Sequence, residues 1–373
     1  MDAFDPTFLK WDSIQKLKYR AKAGISAAER ELNYRLEDRL ELPLPGIRGE
    51  TLYLTGYGAL RKRADDLIIM LQKLPNRRGV QDIILLDAWS SATIEGARTT
   101  VEQVRRSFSD PKTKDDRMVI NGITAANYAY SHLITERNIR KLWEMVVDGV
   151  CDNAGCRGYL YRDGDVYIGS ETQRIHVPAS YESIPDYMSK WFAYVGEKGD
   201  DLLIRSFVAH FYFVYIHPFC DGNGRLARIC NAAYLYHGGY KKVKSLSITG
   251  AINRRLHGYY DTLEESENIM ADGDVRWLDL SPFVAYMMDV FEGAVIDGAL
   301  AKNVLTDRER RILDRMNQIG IHAEITARKA AGMLEVSEAS ARGTLNALVQ
   351  KGYLVVNTSQ LPFIYRLQQH ITE

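Results

Sequence analysis

Four cysteines in 373 residues, with no CxxC pair and no histidine at zinc spacing, leave nothing from which to build a metal knuckle. Cys151, Cys156, Cys220 and Cys230 therefore read as free thiols, and Cys220 has no neighbour evidently placed to activate it as a nucleophile. An excess of one charge is also lacking. The 48 basic and 48 acidic residues cancel, which excludes bulk attraction to nucleic acid or to a membrane surface. No stretch approaches about eighteen uninterrupted apolar residues, and the opening MDAFDPTFLKWDSIQKLKYR lacks the basic-then-apolar order of a signal peptide, so the expected location is the cytoplasm. Neither GxxxxGK[ST] nor GxGxxG after a strand occurs, and there is no internal repeat or low-complexity tract.

What is present is ordinary globular composition, 46% hydrophobic and 26% charged, in a chain long enough for two or three domains. The pattern from Asp12 to Arg39 is helical, and after the breaker LPLPGIRGE a second amphipathic region runs from Leu52 to Leu74, so residues 1–110 are expected to be a helical region. In QDIILLDAWSSATIEG, the residues Ile83, Ile84, Leu86, Ala88 and Trp89 are too crowded for a solvated helix, which must pack on something. Helices are expected again over residues 113–150. YLYRDGDVYIGSETQRIHVP then alternates aromatic or β-branched with polar residues and contains the turn signal Asp163-Gly164, predicting a β-hairpin. DLLIRSFVAHFYFVYI has the broad apolar face of a buried helix, which delivers His217 to the surface of a core. Residues 301–373 read as a separate unit of three helices and a hairpin, a winged helix-turn-helix, with a capping box at Thr306 and Glu309 and a cap at Ser337.

Between the two long apolar helices lies HPFCDGNGRLAR, residues 217–228. Gly222, Asn223 and Gly224 fall where a loop becomes a helix, and bare N–H groups at a helix start form an anion site. Arg225 and Arg228, three apart, are expected on nearly one face of the first turn, where two guanidinium forks suit a polyphosphate. A carboxylate at Asp221 would repel that phosphate unless a cation lay between them, so Asp221 is a candidate Mg²⁺ ligand. A neutral imidazole at His217 could take a proton from an incoming hydroxyl. Each residue alone has a structural explanation, as a core hydrogen bond, a turn or a solvated cation; their concentration in one window favours base-assisted attack on a Mg²⁺-nucleotide.

HPFCDGNGRLAR resembles the HPFx(D/E)GNGRxxR motif of Fic-domain proteins without a mismatch. The helices on either side and the YRDGDVYIG hairpin look like family features too, and the resemblance covers roughly residues 85–300, with residues 111–300 as the catalytic core. It implies a mainly α fold with one β-hairpin flap, and transfer of AMP from ATP to a Ser, Thr or Tyr hydroxyl of a target protein or of the chain itself. The resemblance makes His217 the general base and Asp221 the Mg²⁺ ligand. It makes Gly222, Asn223 and Gly224 the anion nest, and gives the β- and γ-phosphates to Arg225 and Arg228. The flap from Val166 to Pro178, with Val166, Ile168 and Gly169, would align an extended target segment by strand addition. Asn231, Tyr259 and Tyr260 are weaker candidates near the nucleoside.

SATIEG, residues 91–96, is similar to the [S/T]xxxE[G/N] inhibitory motif of the same family. Ser91 and Glu95 would then act as a brake, Glu95 pairing with Arg228 in competition with the γ-phosphate. Removing AMP from a target, with Glu95 orienting a water, is the alternative use of that carboxylate. Transfer of another nucleotide, and a DNA-binding regulator, are the other readings. The helix SEASARGTLNALVQK offers only Arg342 and Lys351 as cations, thin for phosphate neutralisation, so a protein surface or a homodimer suits the tail better than DNA.

Overall fold

In the computed structural model the described residues are 36–75, 80–151, 160–169, 174–197, 199, 201–272, 275–300, 306–319, 323–350, 353–358 and 361–367. The helix expected from Asp12 therefore lies mostly outside them. Where it was expected to end, the chain is already a strand: β1 (Arg39–Pro45) pairs antiparallel with β2 (Thr51–Thr55), so the breaker and the start of the next amphipathic region form a hairpin instead of a helix boundary. The reason is a two-residue period. Leu42 and Leu44 are buried while Glu41 and Pro43 are exposed, and Leu52 and Leu54 repeat the pattern. Pro43 and Pro45 are tolerated because β1 is an edge strand.

Helix α1 (Tyr57–Lys73) follows, with Leu60, Ala64, Leu67 and Leu71 buried at helical spacing. Next come α2 (Val80–Ile94), α3 (Val101–Arg106), α4 (Lys114–Ser131) and α5 (Glu136–Val147), the last three started by the side-chain caps of Thr100, Thr113 and Thr135. The crowded apolar residues of α2 find their partners in α4: Ile84, Leu85, Ala88 and Ala92 cluster with Val119 and Ile123.

The hairpin comes next, as β3 (Ile168–Gly169) and β4 (Arg174–His176), with Ile168 opposite His176. Its turn is not Asp163-Gly164, which bends the chain before the strands begin; there the carbonyl of Gly164 accepts from Arg162 Nη1 at 2.7 Å. Asp-Gly favours a turn but does not say which strands it joins.

Helices α6 (Ile184–Gly196), α7 (Leu202–Ile216) and α8 (Asn223–His237) form the centre. Nearly every side chain of α7 is buried, Phe207, Phe211 and Phe213 completely, as a helix packed on all sides requires. Helices α9 (Ile248–Arg254) and α10 (Leu256–Ser266), the strands β5 (Met270–Asp272) and β6 (Val275–Asp279), and α11 (Ser281–Leu300) complete the unit. Strand β6 adds parallel to β2, Leu52 beside Leu278, giving the sheet order β1-β2-β6-β5.

Trp143 of α5 stacks on Phe219 at 5.2 Å between centroids and donates from Nε1 to the carbonyl of Asp221 at 3.0 Å, so the core reaches directly into the 217–228 loop. Trp143→Ala is expected to cost about 3–5 kcal/mol in a urea titration, because it removes a fully buried indole.

Cys151 and Cys230 are free thiols, as expected. Cys220 is not, being disulfide-bonded, and Cys156 lies outside the described residues. Spacing along a chain cannot show which cysteines approach within bonding distance.

Internal contacts divide the chain after Gly298. The second unit comprises α12 (Asp307–Ile319), α13 (Ala327–Leu334) and α14 (Glu338–Gln350), with a three-stranded antiparallel sheet in the order β7 (Glu324–Ile325), β9 (Ile364–Leu367), β8 (Leu354–Asn357). Ile312, Leu345, Leu348 and Tyr365 form its own core. Thr306 and Glu309 bond each other's backbone N–H, and Ser337 Oγ accepts from Ser340 N. Strand β7 was not expected: two residues are too few to show a period. Among the described residues no helix is long and apolar enough to cross a membrane.

Candidate active site

His217 ends α7 in the left-handed conformation, φ 51 and ψ 64, its N–H still donating to the carbonyl of Phe213. A side chain in that region is sterically disfavoured, so the fold compels it. The half-buried ring sets Nδ1 3.2 Å from the Val214 carbonyl, which fixes the proton on Nδ1 and leaves the lone pair on Nε2. Burial lowers the imidazole pKa to about 4, so the ring is neutral near pH 7.

The loop backbone is held by side chains that the motif does not advertise. Arg162, 4% exposed, donates from Nε to the His217 carbonyl at 2.9 Å and from Nη2 to the Ala179 carbonyl. It thereby joins the 217–228 loop to the segments flanking β3 and β4. Asn223 accepts at Oδ1 from Phe219 N at 2.9 Å and donates from Nδ2 to Phe219 O at 2.7 Å, so its side chain clamps the turn as well as opening α8. Gly222, at φ 82, is the one position here where a Cβ is excluded twice over. The angle is left-handed, and the added atom would sit 3.2 Å from methyls of both Val146 and Val147.

The spacing of Arg225 and Arg228 predicts a matched pair, but the structure gives them different partners. Buried Arg225 donates to Asp221 Oδ1 at 3.0 Å and to the Val146 carbonyl at 3.1 Å. Asp221 Oδ1 also accepts from Gly222 N at 2.6 Å. Buried Arg228 turns to α2: Nε donates to Ser91 Oγ at 2.9 Å, and Nη2 donates to Glu95 Oε1 at 2.6 Å and to Ser91 O at 3.3 Å. Being three apart sets both residues on one side of a helix, but each long side chain then follows its own acceptors. Glu95 sits directly over the start of α8, since a Cβ on Gly224 would lie 2.6 Å from its Oε1.

Of the three nucleoside candidates, Asn231 and Tyr259 are in the interior. Tyr259 meets His210 Nε2 at 2.8 Å, and burial lowers the His210 pKa to about 3. His210 Nδ1 and Asn231 Nδ2 are buried without a partner among the described residues, and both residues border a cavity of about 10 Å³. Tyr260 is 50% exposed. Val166 and Ile168 are half-buried in the flap, Gly169 follows in β3, and His176 anchors β4 through Nε2 to the Tyr215 carbonyl at 2.8 Å and Nδ1 to Glu267.

Among the described residues no three metal-ligating side chains gather. A Mg²⁺ that takes most of its oxygens from phosphates and water needs only one or two carboxylates. Asp221 fits that role: it is 40% exposed, and both its bonds fall on Oδ1.

Taken together, the site sets a neutral imidazole at the end of α7, shortly before the N-terminus of α8, with the buried Arg228 guanidinium engaged by the Glu95 carboxylate that follows α2. Residues 133–235 match the model of the Fic/DOC family, so the chain carries a Fic domain; α2 lies outside that match. The chain is similar to the protein adenylyltransferase Fic of Culex quinquefasciatus, 27% identical over 230 residues that make up 58% of this chain and 42% of that protein. The protein of the same name from Nematostella vectensis is 24% identical over 258 residues, 65% of this chain and 55% of that one. The chain thus spans about half the length of these curated relatives. Its fold resembles that of a Fic family protein from Desulfovibrio desulfuricans G20, with a TM-score of 0.55 and 20% identity, covering 83% of this chain and 97% of that one.

Proposed function

We propose that this protein transfers AMP from ATP to a hydroxyl of a target protein or of itself, and that Glu95 restrains the reaction. The observation that carries the reading is the bond between His217 Nδ1 and the Val214 carbonyl, which leaves Nε2 available to accept a proton at the start of the loop that leads into α8. The names of the relatives support the nucleotide and the acceptor.

In this mechanism Nε2 takes the proton of a Ser, Thr or Tyr hydroxyl as its oxygen attacks the α-phosphorus. The bond from that phosphorus to the bridging oxygen breaks, and pyrophosphate leaves with the electron pair. N–H groups at the start of α8 and the Arg228 guanidinium stabilise the charge on the departing phosphates. Arg225 acts through Asp221, which it holds. Mg²⁺ bound at Asp221 would neutralise phosphate charge. The hairpin from Val166 to Pro178 offers the edge along which a target segment lies, fixed relative to His217 by Arg162 and His176. Glu95 occupies the fork of Arg228 that a γ-phosphate needs, so nucleotide binds productively only when that ion pair opens.

The second unit is read as a winged helix that docks on protein, a second copy included. Arg342, one of the two cations of this segment, pairs with Glu338 at 3.3 Å, which lowers the charge it offers a phosphate backbone.

The test compares label transfer from α- and γ-labelled ATP, with Mg²⁺, by the protein alone and with cell lysate. Label from the α position only is expected. Label from γ would mean phosphate transfer, and no label in the wild type or Glu95→Gly would overturn the reading.

A further inference from the structure

Asp87 and Ser91 lie four apart on one face of α2, and Glu95, four further on, is the residue that follows its last turn. Ser91 and Glu95 hold Arg228. Asp87, two turns earlier, bonds elsewhere: its carboxylate accepts from Thr249 N at 2.8 Å, Thr249 Oγ1 at 2.9 Å and Ser247 Oγ at 3.1 Å, all at the start of α9. The rest of α2 packs on α4 through apolar contacts, which are non-directional, and is tied elsewhere by Trp89 Nε1 to the Thr99 carbonyl at 2.8 Å, by Asp82 to Arg105 and by Gln81 to Asn127. Packing beside Asp87 is also incomplete. A cavity of about 30 Å³ lies there, bordered by Ile83, Asp87, Ser91, Arg225, Arg228 and Thr249 among others. On the face that carries Ser91, the three bonds to one carboxylate are directional contacts that register α2 against the start of α9. The α-helix carries that setting along its axis to Ile94, the residue before Glu95, about 10 Å away at about 1.5 Å per residue.

We propose that Asp87 is a positioning residue for the brake: its latch onto Ser247 and Thr249 of the α9 start registers α2 so that Glu95 meets Arg228. The proposal rests on the reading of Glu95 as a brake. It makes the start of α9, whose Thr249 lines the same cavity as Ser91 and Arg228, a place at which the brake is released, because displacing Thr249 from Asp87 removes two of the three bonds of the latch.

The experiment measures transfer from α-labelled ATP by Asp87→Ala and Thr249→Val, each alone and combined with Glu95→Gly. Thr249→Val removes one hydroxyl and keeps the backbone bond, so it is informative if Asp87→Ala folds poorly. Each latch variant is expected to raise labelling about threefold to tenfold while Glu95 is present, and to add nothing in the Glu95→Gly background. A merely structural role would lower activity in both backgrounds. Labelling raised by Glu95→Gly but unchanged or lowered by both latch variants overturns the latch and leaves the brake standing, as does an equal rise in both backgrounds. Failure of Glu95→Gly itself to raise labelling rejects the brake and the latch together.

Discussion

Glu95→Gly is expected to raise labelling from α-labelled ATP by about a hundredfold if the ion pair leaves one molecule in a hundred competent, equivalent to about 2.7 kcal/mol of restraint. The expectation follows from geometry. Glu95 Oε1 lies 2.6 Å from Arg228 Nη2 and directly over Gly224, so one carboxylate takes both the guanidinium and the space above the helix N-terminus. A phosphate must displace it from each. Removing the carboxylate leaves Arg228 buried with only Ser91 of its α2 partners, so the variant is also expected to melt at a lower temperature than the wild type. Activity and stability therefore move in opposite directions, which separates release of a brake from general loosening. Glu95→Gln, keeping the shape and losing the charge, should fall between. Unchanged labelling by a folded Glu95→Gly protein would show that the pair does not limit nucleotide use.

The parts of this site that sequence made legible are those whose chemistry is packed into adjacent residues. HPFCDGNGRLAR carries the base, the carboxylate, the bare turn and the arginines within one window, and the structure keeps them together. Legibility failed where a residue acts across the fold. Arg162 lies 55 positions before the carbonyl it holds, and Asp87 lies 162 before Thr249. Neither is marked by a local pattern. The division of labour between Arg225 and Arg228 was invisible for the same reason, since helical spacing gives a face and says nothing of which acceptors surround it. The β1–β2 hairpin is a different case. The alternation of Leu42 and Leu44 with Glu41 and Pro43 was readable, and the prolines obscured it, because a breaker in a helix is also an acceptable residue on a sheet edge.

His217→Ala is expected to lower transfer about 10²- to 10⁴-fold while leaving nucleotide binding nearly intact, since Asp221, Arg228 and the start of α8 are untouched. The pH profile makes the same point more sharply. An ordinary histidine base would lose activity as pH falls through about 6.5, whereas burial lowers His217 to about 4, so the initial rate should hold across pH 5 to 6. Stability should not. His210 and His217 are both depressed by burial, so below the ordinary histidine value the unfolded chain binds protons that the folded chain refuses. Their contribution to stability is therefore fully present above about pH 6.5 and is lost as pH falls towards 4 and then 3. Short assays at pH 5 should consequently show near-full transfer from a protein whose urea midpoint has already dropped. A rate that fell with an apparent pKa near 6.5 while the urea midpoint stayed constant would instead place His217 in water, and with it would go the claim that the fold keeps this base neutral.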